Sequence, residues 1–211
     1  GPVESYMTLS LTHRSLALEG IGEIGYVTAG IGPAVVLLHG LGASAIAWQE
    51  NIAALSERHT VYAPDLPGHG TSAKPDVDYD LEYGVRFLEG FMDAVRLDRP
   101  AVVGNSMGGL MALATALRLP ERASALVLVD SAGLGREVAW PLRLVSLPVI
   151  GPILEATDLR LGLGFMRRLF HDPERIDPAV IQELSRLRRL GDVRRTALSV
   201  LRNGVGPMGM R

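Results

Sequence analysis

A serine framed by glycines, Gly104-Asn105-Ser106-Met107-Gly108-Gly109, follows directly on the apolar run Ala101-Val102-Val103. The spacing Gly-x-Ser-x-Gly suits a strand that turns sharply into a helix and lifts a serine hydroxyl out of the sheet, as in a nucleophile elbow. Gly104 and Gly108 fit such a turn because it leaves no room for a β-carbon beside the strained serine. A helix starting at Ser106 would aim its N-terminal N–H groups and dipole at the place where an oxyanion forms. The same pentapeptide also occurs in ordinary Gly-rich turns, so the flanks must decide. A β-branched run precedes it, and Leu110-Met111-Ala112-Leu113-Ala114-Thr115-Ala116-Leu117 is strongly helical until Pro120 breaks it.

A serine hydroxyl becomes a nucleophile when a base takes its proton, and that base needs an orienting acid. After Ser106 the only histidine is His171, whose setting His171-Asp172-Pro173 reads as a helix-end turn. His39, in His39-Gly40-Leu41-Gly42, and His69, in Asp65-Leu66-Pro67-Gly68-His69-Gly70-Thr71-Ser72, read as side chains that hold their turns. His13 and His59 read as surface residues. Asp130 ends the strand 125–129 and reads as a capping or turn-forming aspartate before Ser131-Ala132-Gly133, with a catalytic acid as the other reading.

The elements that must position these residues follow from hydrophobic periodicity. Residues 14–18 and 24–28 predict a hairpin around Glu19-Gly20-Ile21-Gly22. Ala34-Val35-Val36-Leu37-Leu38 is a continuous apolar run, suited to a strand covered on both faces. Trp48, Ile52 and Leu55 have helical spacing, and Thr60-Val61-Tyr62-Ala63 is the next strand. Leu81, Val85, Leu88, Met92 and Val95 mark one face of an amphipathic helix. Strand 101–103, the serine helix and strand Ala125-Leu126-Val127-Leu128-Val129 complete the series. Alternating strands and helices predict an α/β, doubly wound, mostly parallel sheet with ligands at the C-terminal strand ends. The Gly-rich motifs lie at such ends, after residues 38, 63 and 103. From about residue 136 strands stop and Arg-rich helical stretches take over, such as Phe165 to Phe170 and Pro178 to Leu190.

Bulk properties narrow the function classes. A chain of 211 residues, 47% hydrophobic and 21% charged, can bury one sizeable core with a small appended lobe. Without cysteine there is no disulfide framework or thiolate metal site, which is compatible with a cytoplasmic location. There is no Gly-x-Gly-x-x-Gly at a strand end, no Walker loop and no His/carboxylate cluster, so no cofactor or metal is expected. Residues 136–211 carry 13 Lys/Arg against 8 Asp/Glu, and residues 1–135 carry 8 against 15. No basic run is interleaved with aromatics as a nucleic-acid groove requires, and solvated arginine faces on a helical lobe account for the asymmetry. The apolar stretch Leu144 to Leu154 is short and broken by Pro148, Gly151 and Pro152, so no membrane span is expected.

The three motifs, His39-Gly40-Leu41-Gly42, Asp65 to Ser72 and the serine turn, resemble in order and spacing those of a cap-bearing α/β-hydrolase over residues 12–204. The resemblance implies Ser106 as nucleophile and the backbone N–H groups of Leu41 and Met107 as oxyanion donors. His39, Gly40, Gly104, Asn105 and Gly108 would support them. Gly1-Pro2 reads as a protease-cleavage scar, and the resemblance divides the rest into the core at 3–135, a helical cap at 136–204 and the start of a return connection at 205–211. Gly104 to Gly109 together with Asp130 to Gly135 is similar to hydrolases that split carbon–carbon bonds in ring-cleavage products of aromatic degradation. Two departures stand out. The oxyanion loop Leu41-Gly42-Ala43-Ser44 is short, and Leu184 stands where those relatives carry a cap arginine for the substrate's carboxylate, with Arg186 close by. Serine rather than aspartate at 106 argues against the dehalogenase and epoxide hydrolase branches.

In this family the acid and histidine follow the serine in chain order, and the resemblance implies further strands and helices after the cap that carry them. The expectation is therefore a serine hydrolase of an ester or carbon–carbon bond in a small, largely apolar substrate. Its core would be completed by a C-terminal segment or second polypeptide that covers strand 125–129, and these 211 residues alone would be inactive. The other reading is a ligand-binding or scaffold protein of the same fold.

Overall fold

A computed structural model describes residues 12–135, 178–188, 193–206 and 209–210. The chain opens with an antiparallel hairpin, β1 (Thr12–Leu18) and β2 (Gly22–Ala29), and continues through β3 (Ala34–Leu38). A single 3-10 turn, Ala45–Trp48, leads into α1 (Gln49–Leu55), then β4 (Thr60–Pro64), α2 (Leu81–Ala94), β5 (Ala101–Asn105), α3 (Met107–Arg118) and β6 (Ala125–Val129). Two further helices, α4 (Pro178–Arg188) and α5 (Val193–Gly204), are followed by the short strands β7 (Val205–Gly206) and β8 (Gly209–Met210), which pair with each other. The expected helical stretch 165–170, His171 and most of the expected cap lie outside the described residues.

The strands form one sheet in the order β1-β2-β4-β3-β5-β6, parallel from β4 to β6, with the β1–β2 hairpin joined antiparallel to β4. Alternation along the strands feeds two cores. Val36, Leu38 and Val102 face α2 and α3 through Phe87, Leu88, Phe91, Met111 and Ala112. Val35, Leu37 and Val61 point the other way, onto Ala45, Trp48 and Ile52. Helices on both faces explain why β3 reads as an unbroken apolar run rather than an alternating one. The expected doubly wound architecture is observed.

Connection order creates the site. From β3 the chain moves to β4 on one side, then returns through α2 to β5 on the other. The C-terminal ends of β3 and β5 therefore lie side by side where the winding reverses, the position at which open α/β sheets bind ligands.

Three local expectations need correction. Trp48 lies in the 3-10 turn rather than in α1. Leu81 is 38% exposed at the start of α2 and Val95 lies just beyond its end, whereas Tyr83, Phe87 and Phe91 are buried. Two surfaces, the sheet and α3, cover α2, so its buried face is wider than a single stripe. His59 is half-buried rather than a surface residue, because its Nδ1 lies 3.2 Å from the Leu55 carbonyl at the end of α1.

At the far edge, Ala125, Val127 and Val129 of β6 point away from α2 and α3. Val127 and Val129 are 48% and 40% exposed.

Candidate functional site

Ser106 joins β5 to α3 with φ +52° and ψ −114°, a backbone state that costs an L-residue on the order of 1–3 kcal/mol unless its surroundings enforce it. The surroundings here do. Ser106 N–H donates to the Val129 carbonyl at 3.1 Å, and the Ser106 carbonyl accepts from the N–H groups of Leu110 and Ala132, each at 3.1 Å. Asn105 Nδ2 donates to the same Val129 carbonyl at 3.1 Å, so the end of β6 clasps the turn.

The glycines are required by contact rather than by φ. A β-carbon on Gly104 would lie 2.6 Å from the Gly109 Cα, and one on Gly108 would lie 2.7 Å from the His39 carbonyl oxygen. Close approach of α3 to β5 and to the end of β3 is what sets the turn. A serine at the N-cap ordinarily spends its hydroxyl on the first helical N–H groups. Ser106 makes no such bond, and its half-buried hydroxyl has no hydrogen-bond partner among the described residues.

The loop after β3 abuts this turn: a β-carbon on Gly40 would sit 2.9 Å from Asn105 Oδ1 and 3.3 Å from Ser106 Cβ. His39 is fully buried. Its Nε2 accepts the Leu66 N–H at 3.0 Å, which leaves Nδ1–H to donate to the Gly40 carbonyl at 2.8 Å. These partners assign the neutral Nδ1–H tautomer. Burial lowers the imidazole pKa from its ordinary value, against an upward pull from Asp65 and the Gly40 carbonyl. Ala43 N–H also donates to the Gly40 carbonyl, at 3.2 Å. With that carbonyl held twice, the plane of the Gly40–Leu41 peptide is set, and in a trans peptide the Leu41 N–H points opposite to it. Met107 opens α3, so its N–H belongs to the first turn, where helical N–H groups have no acceptor within the helix.

Asp65 was not singled out in the sequence. Its buried carboxylate accepts the Ala45 N–H at 2.7 Å through one oxygen, and the Thr71 N–H and hydroxyl at 2.7 and 2.8 Å through the other. It thus ties the loop after β4 to the chain leaving the β3 loop. Gly70, at φ +50°, packs directly on that carboxylate. An acid closing a buried apolar strand, followed by Gly70-Thr71-Ser72, was the signal available in the sequence. Helix α5 rests on the same loop: Tyr79 N–H donates to Ser199 Oγ at 3.1 Å, and Gly68 packs on Thr196.

The remaining candidates are dispersed. His69 is buried against His39, ring centroids 5.3 Å apart, with its Nδ1 3.1 Å from the Pro67 carbonyl. His13 is exposed on β1. Asp130, at φ +44°, turns the chain out of β6 and is exposed. Arg186 is exposed on α4, and its guanidinium pairs with Glu183 at 2.6 and 2.7 Å. Among the described residues no histidine hydrogen-bonds the Ser106 hydroxyl. None of them forms a group of three or more metal-ligating side chains, and no helix is long and apolar enough to cross a membrane.

Comparison with known proteins identifies the fold family. A family model for the alpha/beta hydrolase fold matches residues 33–197. A 2-hydroxy-6-oxo-6-(2'-aminophenyl)hexa-2,4-dienoic acid hydrolase of Metapseudomonas resinovorans is 37% identical over 164 residues, covering 75% of this chain and 54% of that protein. A 2-hydroxy-6-oxo-2,4-heptadienoate hydrolase of Pseudomonas putida is 39% identical over 127 residues, 58% of this chain and 46% of that one. The chain thus spans about half the length of these curated relatives. Among solved structures, the epoxide hydrolase CorEH is similar with a TM-score of 0.82 at 26% identity, covering 92% of this chain and 74% of the other.

Proposed function

The chain belongs to the α/β-hydrolase fold family, and from that premise we propose that it carries the nucleophile and oxyanion site of a serine hydrolase. The substrate would be a small, largely apolar molecule split at an ester or carbon–carbon bond. Ser106 Oγ attacks the carbonyl carbon of that bond. The electron pair moves to the carbonyl oxygen, whose charge is received by the N–H groups of Leu41 and Met107. Collapse of the intermediate expels the leaving group, and water releases the acyl group from Ser106. One observation carries this reading: Ser106 sits strained at the head of α3 with its hydroxyl unspent on capping.

The proton of Ser106 needs a base. His39 and His69 are committed to the loops, and we assign the base and its orienting acid to residues outside these 211, in a segment that also covers the exposed side of β6. The matched segments make up 54% and 46% of these relatives, which leaves room in them for such a segment. The lack of a described histidine on Ser106 favours a second reading, a ligand-binding protein of the same fold.

Turnover separates the two. The product of the complete gene should hydrolyse p-nitrophenyl acetate, and Ser106→Ala should reduce kcat by about a thousandfold or more. Equal rates in the two proteins would remove Ser106 from the reaction.

A further inference from the structure

At the end of the sheet opposite Ser106, where β4 begins, the β1–β2 hairpin, β4 and the turn after α2 surround a cavity of about 570 Å³. Strand register arranges its wall. Arg14 on β1 stands opposite Tyr26 on β2, and Thr28 on β2 opposite Tyr62 on β4, so all four share one face of three adjacent strands. The two tyrosine rings stack with centroids 6.4 Å apart. Val95 and Arg96, just after α2, complete the lining on one side.

That lining is cationic. Arg14 and Arg96 are its charged members among the described residues, with no carboxylate beside them. Composition favours the opposite sign, since residues 1–135 carry 15 Asp/Glu against 8 Lys/Arg. Arg118 and Arg122 pair with Glu82 and Asp93, whereas the side chains of Arg14 and Arg96 have no partner among the described residues. The hydroxyls of the half-buried Tyr26 and Tyr62 also make no hydrogen bond there, and neither is sealed from solvent.

Arg96 holds its place against backbone preference. It has φ +58° at the end of α2, where its N–H donates to the Asp93 carbonyl at 3.0 Å and the Leu97 N–H donates to the Met92 carbonyl at 2.8 Å. Glycine is the usual residue at this point of such a helix end, because a β-carbon is disfavoured there. The Arg96 side chain is exposed, so core packing does not require it, and the main chain already occupies the Met92 and Asp93 carbonyls. A strained arginine without a local structural reason points to a role in the cavity it lines.

We propose that this cavity binds a soluble phosphate monoester. Two guanidiniums match the two charges of its phosphate, and their planar forks suit the phosphate oxygens. The Tyr26 and Tyr62 hydroxyls supply further donors, and Val95 with the stacked rings leaves an apolar surface for a small organic group. The site stands apart from Ser106 and does not rest on its chemistry.

The test is calorimetric titration of the complete gene product at pH 7.5, where a phosphate monoester is close to a dianion. Phenyl phosphate should bind saturably, and benzoate, with one charge and a planar head, at least about tenfold more weakly. Arg14→Gln and Arg96→Gly should each weaken phenyl phosphate by about tenfold or more, while Ser106→Ala binds it as the wild type does. Arg96→Gly should at the same time raise the thermal midpoint, because glycine relieves the backbone strain. Vesicles of phosphatidylcholine and phosphatidic acid, which offer the same head on a surface, should not sediment the protein. Absence of saturable binding, benzoate binding as tightly as phenyl phosphate, or undiminished binding in either arginine variant would overturn the assignment. So would an Arg96→Gly protein of lower thermal midpoint, which would give the arginine to the helix end, or sedimentation with the vesicles, which would give the site to a membrane.

Discussion

His39 Nε2 accepts the main-chain N–H of Leu66 at 3.0 Å while its Nδ1–H holds the Gly40 carbonyl at 2.8 Å, so one neutral imidazole joins the loops that follow β3 and β4. Protonation would place an Nε2–H against the Leu66 N–H and break the link. The sign of the pH effect follows. The folded pKa lies below the unfolded value of 6.5, so between the two only the unfolded chain binds the proton. Stability from this link is fully present above pH 6.5 and falls as pH drops below it. Urea unfolding at pH 7.5, 6.5 and 5.5 should show a loss on acidification of at most about 1.4 kcal/mol per pH unit from this proton. His39→Gln should lower stability at every pH and remove that part of the slope. Parallel slopes for the two proteins would contradict the tautomer assignment.

Asp65 does the same work with a charge. Asp65→Ala leaves the buried Ala45 N–H and the part-buried Thr71 N–H without their acceptor, and should cost about 2–4 kcal/mol in urea unfolding. Asp65→Asn retains one carbonyl acceptor and should cost less. An Asp65→Ala chain as stable as the wild type would show that the two loops are held by other means.

The turn glycines give a sharper contrast. Gly108→Ala presses a methyl group onto the Leu38 and His39 carbonyls at the end of β3, and overpacking against backbone should cost about 3 kcal/mol. Gly135→Ala meets no described atom within 4 Å and should stay within about 0.5 kcal/mol of wild type. Equal effects would mean that α3 can move away from β3 at little cost.

Much of this arrangement was legible in the sequence, because backbone geometry dictates residue type there. The run Ala34 to Leu38, the strand Ala125 to Val129 and the serine turn lie where patterning places them. The turn is legible because two glycines are the only residues that fit between its strand and helix. Side-chain economy was less visible. The full buried face of α2 depends on α3 packing beside it, a tertiary fact that a single four-three spacing does not encode. Asp65 reads as one more polar residue in a Gly-rich loop until its three hydrogen bonds are seen.

The exposed side of β6 makes a prediction about this chain on its own. Val127 and Val129 face outward on a strand that has no partner on its far edge among the described residues, a template for association. The 211-residue chain should bind anilinonaphthalenesulfonate and self-associate with rising concentration in sedimentation runs, and Val127→Lys should reduce both. A chain that stays monomeric and dye-silent would show that this face is covered from within the chain.

The claim on which the functional reading stands is that Ser106 is an activated nucleophile, and a fluorophosphonate reports that state by covalent capture. Treatment of the complete gene product, followed by peptide mapping, should place the adduct on Ser106, with no adduct in Ser106→Ala or in unfolded protein. A folded protein whose Ser106 stays unlabelled would contradict the account and leave the ligand-binding reading in its place.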